Sequence, residues 1–183
     1  MIIGITGPNA AGKGEAAEHL EEKGFEYFSL SDIVREEATA RGLTHDRENL
    51  IIVGKDLRVQ NGPAILAKKL LDRLPDDAIV DSIRHPAEVE ILRQREDFIL
   101  VAVDAPVEAR FQRELERKRG RVPDTLDEFV QLESLENTTD ENSQQLRATM
   151  LLADRVIVND YTIPALHRQF DQMIIKRPSW DHY

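Results

Sequence analysis

Near its amino terminus the chain carries the glycine-rich segment GPNAAGKG, residues 7–14. Four residues separate Gly7 from Gly12 and Lys13, which is the spacing of a phosphate-binding loop. The apolar run MIIGIT (1–6) comes directly before this loop, and a segment with helical spacing of apolar residues follows it. At such a junction the backbone N–H groups and the helix dipole favour an anion. The segment therefore restricts the chain to folds in which a strand, a phosphate-binding loop and a helix follow one another.

Five short apolar runs recur along the chain. They are almost continuously apolar rather than alternating, which predicts buried strands of a parallel sheet. The runs are MIIGIT (1–6), FEYFSL (25–30), AIVDSI (78–83), FILVAV (98–103) and RVIVN (155–159). Charged segments with apolar residues at helical spacing separate them. The pattern predicts an α/β fold, a doubly wound five-stranded parallel sheet flanked by helices, with ligands bound at the carboxyl ends of the strands.

The composition limits the classes of ligand and partner. A chain of 183 residues is long enough for one domain with a substantial core. Its formal charge of −10 argues against a surface for nucleic acid or an anionic membrane, so a bound anion needs a local cluster of positive charge. Because there is no cysteine, disulfides and thiolate metal sites are excluded. No apolar run approaches the ~20 residues of a membrane span, and no signal-peptide pattern is present, so we expect a soluble cytoplasmic protein.

The phosphate-binding loop departs from the usual motif at two positions. A hydroxyl normally follows the lysine and helps to hold Mg²⁺, but here Gly14 and Glu15 follow Lys13. A carboxylate in the first turn gains from the helix dipole, yet it would repel a triphosphate unless it points away or reaches a metal through water. The residues expected to form the cofactor-binding loop are Gly7, Asn9, Ala10, Ala11, Gly12, Lys13, Gly14 and Glu15, and of these Gly7, Gly12, Lys13 and Gly14 are expected to hold the phosphates.

The sequence GKG without a hydroxyl resembles the adenylate-kinase branch of P-loop kinases, where a threonine commonly stands at the position of Glu15. This resemblance implies that the loop binds ATP or a related nucleoside triphosphate with Mg²⁺. The missing hydroxyl therefore does not by itself indicate an inactive site.

The segment after the second strand, SLSDIVREEA, begins a helix for which Ser31 or Asp32 is the expected cap. Asp32 and Arg35 are three residues apart and share a face. The arrangement resembles the Asp-x-x-Arg segment of nucleoside monophosphate kinases, which implies that both residues face the acceptor and that Arg35 binds its phosphate. An exposed helix start with an ion pair is the alternative. The following helices, about 46–59 and 63–74, would form an acceptor-binding insertion.

The third strand ends in IVDSIRHP, residues 79–86. Asp81 at a strand end can orient Mg²⁺ through water, and Arg84 can neutralise a transferring or acceptor phosphate. The segment resembles the Asp-Gly-x-Pro-Arg turn of adenylate kinases, with Ser82 in place of glycine. The alternative is that Asp81 only caps the next helix. His85 is expected to be a solvated or hydrogen-bonded histidine without a role in phosphate binding.

A basic segment follows the fourth strand. Its cations are Arg110, Arg113, Arg117, Lys118, Arg119 and Arg121. Arg117 and Arg121 have the Arg-x-x-Gly-Arg spacing and are similar to the lid of adenylate-type kinases, which implies an arginine-rich lid that closes over the donor. A charged, exposed helix face with internal ion pairs is the alternative.

The last strand and the tail carry two further resemblances. ADRVIVND, residues 153–160, resembles the Ala-Asp-x-Val-Ile-x-Asn segment of dephospho-CoA kinases, which implies that the backbone at Asn159 lies beside the adenine. Residues 1–175 as a whole resemble an archaeal-type group of dephospho-CoA-kinase-like P-loop proteins. The tail KRPSWDHY (176–183) resembles the start of deoxycytidylate deaminases and implies an attached deaminase domain. Without cysteine this chain lacks the deaminase zinc signature.

Two functions remain open at the level of sequence. The first is ATP-dependent phosphoryl transfer to a deoxynucleoside or nucleoside monophosphate or to dephospho-CoA, in which Lys13, Arg84, Arg117 and Arg121 neutralise charge. The second is a non-catalytic nucleotide-binding module that regulates a deaminase, which Glu15 and the tail favour. In both, the expected partner is a small-molecule nucleotide.

Overall fold

The computed structural model of the protein describes residues 1–117, 123–134, 137–160 and 162–175. Five parallel strands form one sheet in the order β2-β3-β1-β4-β5. The strands are β1 (Ile2–Thr6), β2 (Glu26–Ser29), β3 (Ala78–Asp81), β4 (Phe98–Asp104) and β5 (Arg155–Val158). The five predicted strands and their parallel arrangement are thus confirmed.

Helices connect the strands. They are α1 (Lys13–Glu21), α2 (Leu30–Ala40), α3 (Arg47–Asn61), α4 (Ile65–Leu71), α5 (Pro86–Leu92), α6 (Val107–Arg117), α7 (Leu126–Ser134), α8 (Leu146–Met150) and α9 (Ile163–Ile175). The helices α3 and α4 confirm the two helices predicted between the second and third strands. Within these ranges no helix is both long enough and apolar enough to cross a membrane.

The sheet has a hydrophobic core on each face, as a doubly wound fold requires. Alternate residues of β1 point to opposite faces, so Ile2 packs under α2–α5 while Ile3 and Ile5 pack under α1 and α9. Leu20 of α1 and Phe170 of α9 are fully buried on the second face. Each such buried side chain contributes about 1.5–3 kcal/mol. These two cores hold the helices that carry the site against the sheet.

The position of β1 determines where a ligand can bind. β1 lies between β3 and β4 and pairs with both in parallel register, Ile2 with Ala78 on one side and with Phe98 on the other. The chain leaves β1 toward β2 on one side and later crosses to β4 on the other, which makes the carboxyl end of β1 the topological switch point. The phosphate-binding loop begins there.

Helix caps differ from those predicted. α2 begins directly after β2, and the cap is Ser29, whose hydroxyl accepts a hydrogen bond from the Ser31 N–H at 3.3 Å. The prediction of Ser31 or Asp32 as the cap is wrong, because no loop separates the strand from the helix. α5 is capped by His85, so the alternative reading of Asp81 as its cap is also wrong.

Two predictions fall outside the described residues. Arg121, half of the lid motif, lies in the range 118–122, and the deaminase-like tail occupies 176–183. Both therefore stay predictions.

Candidate active site

The phosphate-binding loop has a backbone that glycine makes accessible. Gly7 has a φ of 134° and Gly12 a φ of 107°, in the range that favours glycine. A Cβ at Gly7 would lie 2.0 Å from the carbonyl oxygen of Val103 on β4. The loop therefore packs directly on the neighbouring strand, and any side chain at Gly7 would displace it.

Asn159, at the end of β5, closes the loop from the other side. Its Nδ2 donates a hydrogen bond to the carbonyl oxygen of Ala11 at 2.9 Å, and the residue is 7% exposed. A Cβ at Gly12 would lie 2.2 Å from that same Nδ2. The side chain of Asn159 thus holds the loop in shape, while the predicted contact of its backbone with an adenine stays a prediction.

Arg113 of α6 contacts both the phosphate-binding loop and the residue that follows β5. Its Nη1 donates to the carbonyl oxygen of Ala10 at 3.2 Å, and its Nη2 donates to that of Asn159 at 2.9 Å. Sequence reasoning counted Arg113 only as one of several lid cations. No sequence signal distinguishes it from its neighbours, because its role depends on contacts 46 and 103 residues away.

Lys13 lies over the loop. Its Nζ donates to the carbonyl oxygens of Gly7 and Pro8, both at 2.8 Å. Next to it, Gly14 faces open space, since a Cβ built there would meet no atom within 4 Å. Glu15 is half-buried and makes no ion pair with any residue that the structure describes. The loop therefore presents one cation and one unpaired carboxylate at the start of α1.

Asp81 ends β3 beside this loop. Its Oδ2 accepts a hydrogen bond from the Tyr27 hydroxyl at 3.1 Å, and its Oδ1 is buried with no hydrogen-bond partner among the described residues. Burial, together with the Asp81 charge, raises the pKa of Tyr27, so the phenol stays protonated and remains a donor. Such an oxygen can accept a hydrogen bond from a bound water.

Arg84 contacts both the phosphate-binding loop and the segment that contains Gln144. Its Nη2 donates to Oδ1 of Asn9 at 3.2 Å, and its Nη1 donates to Oε1 of Gln144 at 3.3 Å. The segment containing Gln144 is attached to the same turn, because the Gln145 N–H donates to the Arg84 carbonyl oxygen at 2.9 Å. The structure thus brings Arg84 together with the loop, and it adds Gln144, which sequence reasoning missed.

Hydrogen bonds to a buried side chain hold the turn that carries Arg84 in place. Ser82 has a φ of 64°, which explains why a glycine suits this position in the resembling adenylate-kinase turn. Glu88 of α5 is fully buried, and its Oε2 accepts hydrogen bonds from the backbone N–H groups of Arg84 at 2.9 Å and His85 at 3.1 Å. His85 is buried and caps α5 through Nδ1, which accepts from the Ala87 N–H at 3.1 Å.

A cavity of about 380 Å³ opens between the loop and the helices α2, α3 and α6. Arginines dominate its charge: Arg35, Arg58, Arg84 and Arg117 line it, and Glu114 is the only lining carboxylate among the described residues. The remaining wall is apolar or neutral: Ala10, Leu30, Val34, Leu50, Ile51, Gly54 and Leu66, with Asn9, Ser31, His45, Ser82 and Gln144. The described lining is thus rich in arginine in an acidic protein, with Arg35 and Arg58 each paired with a carboxylate.

Of the predicted acceptor residues, Arg35 and Arg84 line this cavity, whereas Asp32 is not among the lining residues. Arg35 is exposed, and its Nη1 donates to Oδ1 of Asp32 at 2.5 Å and to Oγ of Ser31 at 3.0 Å. This is the exposed ion pair at a helix start that the sequence left open as the alternative.

The described part of the basic segment contains arginines of two kinds. Arg117 lines the cavity from the end of α6. Arg110, in contrast, is buried: it pairs with Glu133 and donates to the carbonyl oxygen of Ala105. The segment therefore includes a structural arginine and one that faces the cavity.

Sequence relatives cover nearly the whole of this chain, and two of the following three are of similar length to it. A UPF0200 protein of Pyrococcus abyssi is 31% identical, with full coverage of both chains, and one of Pyrococcus furiosus is 33% identical over 95% of this chain and 96% of its own. A UPF0200/UPF0201 protein of Archaeoglobus fulgidus is 33% identical over 96% of this chain, which spans 55% of that relative's length.

Solved structures share the fold at low identity. TT1252 from Thermus thermophilus has a TM-score of 0.60 at 20% identity, covering 97% of both chains. Shikimate kinase from Acinetobacter baumannii, in complex with shikimate, has a TM-score of 0.55 at 18% identity over 97% of this chain and 94% of its own. The Mycobacterium tuberculosis APS kinase, in complex with AMPPNP and APS, has a TM-score of 0.54 at 16% identity over 95% and 96% of the two chains.

These likenesses agree with the strand order and the loop geometry. The fold is the α/β P-loop NTPase fold in its kinase-like form. The AAA domain family matches residues 6–130, which contain the phosphate-binding loop, the helices α3 and α4 and the whole basic segment. The chain belongs to the AAA domain family and, by its full-length relatives, to the UPF0200 proteins.

Proposed function

We propose that the protein transfers the γ-phosphoryl group of ATP to a small anionic acceptor bound in the arginine-lined cavity. The observation that carries this proposal is the contact of Arg84 with Asn9. It places a cavity-lining guanidinium directly against the phosphate-binding loop, where a transferring group would have to pass. Catalysis of phosphoryl transfer consists mainly of positioning and charge neutralisation, and these residues can supply both.

The donor would be held by the loop. Backbone N–H groups from Gly7 to Gly14 would bind its phosphates, and Lys13 would exchange its two carbonyl contacts for phosphate oxygens. Mg²⁺ fits the site, because Asp81 offers a buried, unpartnered oxygen that can accept from a metal-bound water. When bound, Mg²⁺ neutralises phosphate charge. Arg117, together with Arg121, would close over the donor as a lid.

The acceptor would occupy the cavity. Ligand pockets span about 300–1,000 Å³, so 380 Å³ is at the small end. This size favours a nucleoside monophosphate over dephospho-CoA, whose long arm would extend into solvent. Arg35, with Asp32 beside it, would bind the acceptor phosphate, and Arg84 would neutralise charge between acceptor and donor.

Acceptor-dependent formation of ADP tests this proposal. Purified protein is incubated with ATP, Mg²⁺ and each member of a panel of nucleoside and deoxynucleoside monophosphates and dephospho-CoA. We expect at least one monophosphate to accelerate ADP formation in the wild type and not in Lys13→Ala. No acceleration by any member, with ATP still bound, would contradict the proposal.

That negative result would favour the second candidate, a nucleotide-binding module that regulates a deaminase domain joined through residues 176–183. The specific observation behind it is Glu15, a half-buried carboxylate with no described ion-pair partner at the start of the phosphate-binding helix. Such a charge near a polyphosphate weakens a site made for turnover.

A further inference from the structure

Arg58 of α3 is a buried cation in the wall of the cavity. The residue is 5% exposed, and a guanidinium so deeply buried needs compensation for its charge and for its five N–H donors. Glu88 provides part of it: Oε1 accepts from Nη2 of Arg58 at 3.0 Å. The two residues are 30 positions apart, and the sequence does not pair them.

The pair with Glu88 leaves donors of Arg58 unused. Nε is buried without a hydrogen-bond partner, and Nη2 is the one nitrogen of Arg58 that the described residues engage. Glu88 has no second oxygen to offer, because Oε2 already accepts from the N–H groups of Arg84 and His85. A buried donor without an acceptor is unfavourable. Arg58 also lines the cavity, so its guanidinium borders the space that a ligand would occupy.

Gly54 leaves space beside the guanidinium. It precedes Arg58 by one turn of α3 and also lines the cavity. A Cβ built on Gly54 would lie 3.4 Å from Nη1 of Arg58, so a methyl group there would touch this nitrogen. Glycine is less favourable than alanine inside a helix. The chain thus keeps space next to Nη1 at a position where alanine would suit the helix better.

We infer that Arg58 recognises an oxyanion of the acceptor and that the acceptor is a phosphomonoester, of which a nucleoside 5′-monophosphate is the simplest case. This inference rests on the proposed function only in taking the cavity as the acceptor site. Among the residues that the structure describes, four arginines and one carboxylate line the cavity, and two of the arginines, Arg84 and Arg117, lie outside the ion pairs with Asp32 and Glu88. Several guanidinium groups around one site suit a dianionic phosphate better than a singly charged carboxylate. Leu30, Val34 and Leu66 provide the apolar wall for the uncharged part of the acceptor.

Replacing Arg58 by lysine separates recognition from structure. Arg58→Lys keeps a positive charge beside Glu88 but removes the planar fork and Nε. Calorimetry measures binding of nucleoside 5′-monophosphates and of the matching nucleosides, with the donor site saturated by AMPPNP. We expect monophosphate affinity to fall by about tenfold or more, as for loss of a charge-assisted hydrogen bond, while nucleoside and AMPPNP affinities stay unchanged.

The control is Arg93→Lys. It alters an exposed arginine that directly follows the last residue of α5 and pairs with Asp154, and it should leave every affinity unchanged. Equal monophosphate affinity in Arg58→Lys and wild type would overturn the inference and assign Arg58 to the neutralisation of Glu88 alone. Failure of the wild type to bind any monophosphate of the panel would overturn it as well.

Gly54→Ala provides a second test that misfolding cannot imitate. We expect this variant to melt at a higher temperature, because alanine favours the helix. We also expect it to bind monophosphates several-fold more weakly, because the methyl group occupies space next to Nη1. Gln60→Ala, an exposed position on the same helix, should leave binding unchanged. A stabilised Gly54→Ala with wild-type monophosphate affinity would contradict the assigned role of Arg58.

ADP formation distinguishes this inference from the proposed function. If monophosphates bind through Arg58 but produce no ADP, the inference stands and the proposed function fails. If instead an acceptor without phosphate, such as shikimate, supports ADP formation equally in wild type and Arg58→Lys, the function stands and the inference fails.

Discussion

Among single residues, Lys13 carries the charge that the loop backbone cannot supply. Its ammonium already lies against two loop carbonyls, so phosphate oxygens can replace them without a large movement. We expect Lys13→Ala to weaken ATP binding about tenfold or more, because a charge-assisted hydrogen bond contributes ~1.5–3 kcal/mol. Calorimetry measures the affinity. Lys69→Ala, an exposed lysine of α4, removes the same charge elsewhere and should bind ATP as the wild type does.

Glu15 is the position at which this phosphate-binding loop differs most from related loops. The sequence predicted that it would point away and pair with a basic side chain, or reach a metal through water; the described residues provide no such pair. We expect Glu15→Thr to bind ATP equally well or more tightly, both with Mg²⁺ and with EDTA, because the change removes a repulsive charge. A large loss of affinity confined to the Mg²⁺ condition would instead make Glu15 a metal-site residue.

At the scale of elements, the start of α5 depends on the protonation of one histidine. His85 caps the helix with an unprotonated Nδ1, and burial, helped by the charge of Arg58, lowers the pKa of His85. As pH falls through about 6.5, His85 in the unfolded chain therefore takes up a proton before His85 in the folded protein does. Because it then binds more protons than the folded state, the free energy of unfolding decreases below that pH.

Denaturant titrations at pH values of about 7.5 and 5.5 check this effect on either side of the unfolded-state pKa. We expect the wild type to lose more stability between them than His85→Asn, since asparagine also caps helices but does not titrate. His45→Asn, at an exposed histidine, should behave as the wild type. Equal losses in wild type and His85→Asn would show that the cap does not titrate in this range.

For the whole molecule, ligand binding at the switch point should stabilise the fold, because the loop, β3 and α6 all converge there. At a ligand concentration of about 100 times Kd the gain is ~2.7 kcal/mol, which corresponds to about 5–10 °C for a chain of this size. We expect ATP with Mg²⁺ to raise the melting temperature by that order.

Asp81→Asn tests the part that Mg²⁺ plays in this stabilisation. The amide keeps an acceptor for the Tyr27 hydroxyl but loses the negative charge. We expect it to reduce the additional shift that Mg²⁺ produces and to leave the shift by ATP in EDTA unchanged. An undiminished Mg²⁺ effect would exclude Asp81 from the metal site.

Local patterns were sufficient for the five strands and for the phosphate-binding loop. Apolar runs of strand length predicted all five strands, because burial on both faces of a parallel sheet produces consecutive apolar residues. The spacing of Gly7, Gly12 and Lys13 predicted the loop, since its geometry arises from one continuous segment. Equally short motifs singled out Arg35 and Arg84, which line one cavity in the structure.

Only the tertiary structure determined the features that depend on long-range contacts. The strand order with β1 at the centre, the hydrogen bond between Asn159 and Ala11 across 148 residues, and the bridge made by Arg113 join segments with no mutual signal in the sequence. Arg58 shows this most clearly: in sequence it is one arginine of a charged helix, and only packing buries it against Glu88 at the cavity wall. A side chain's burial and partners depend on which helices meet, and that is a property of the folded chain.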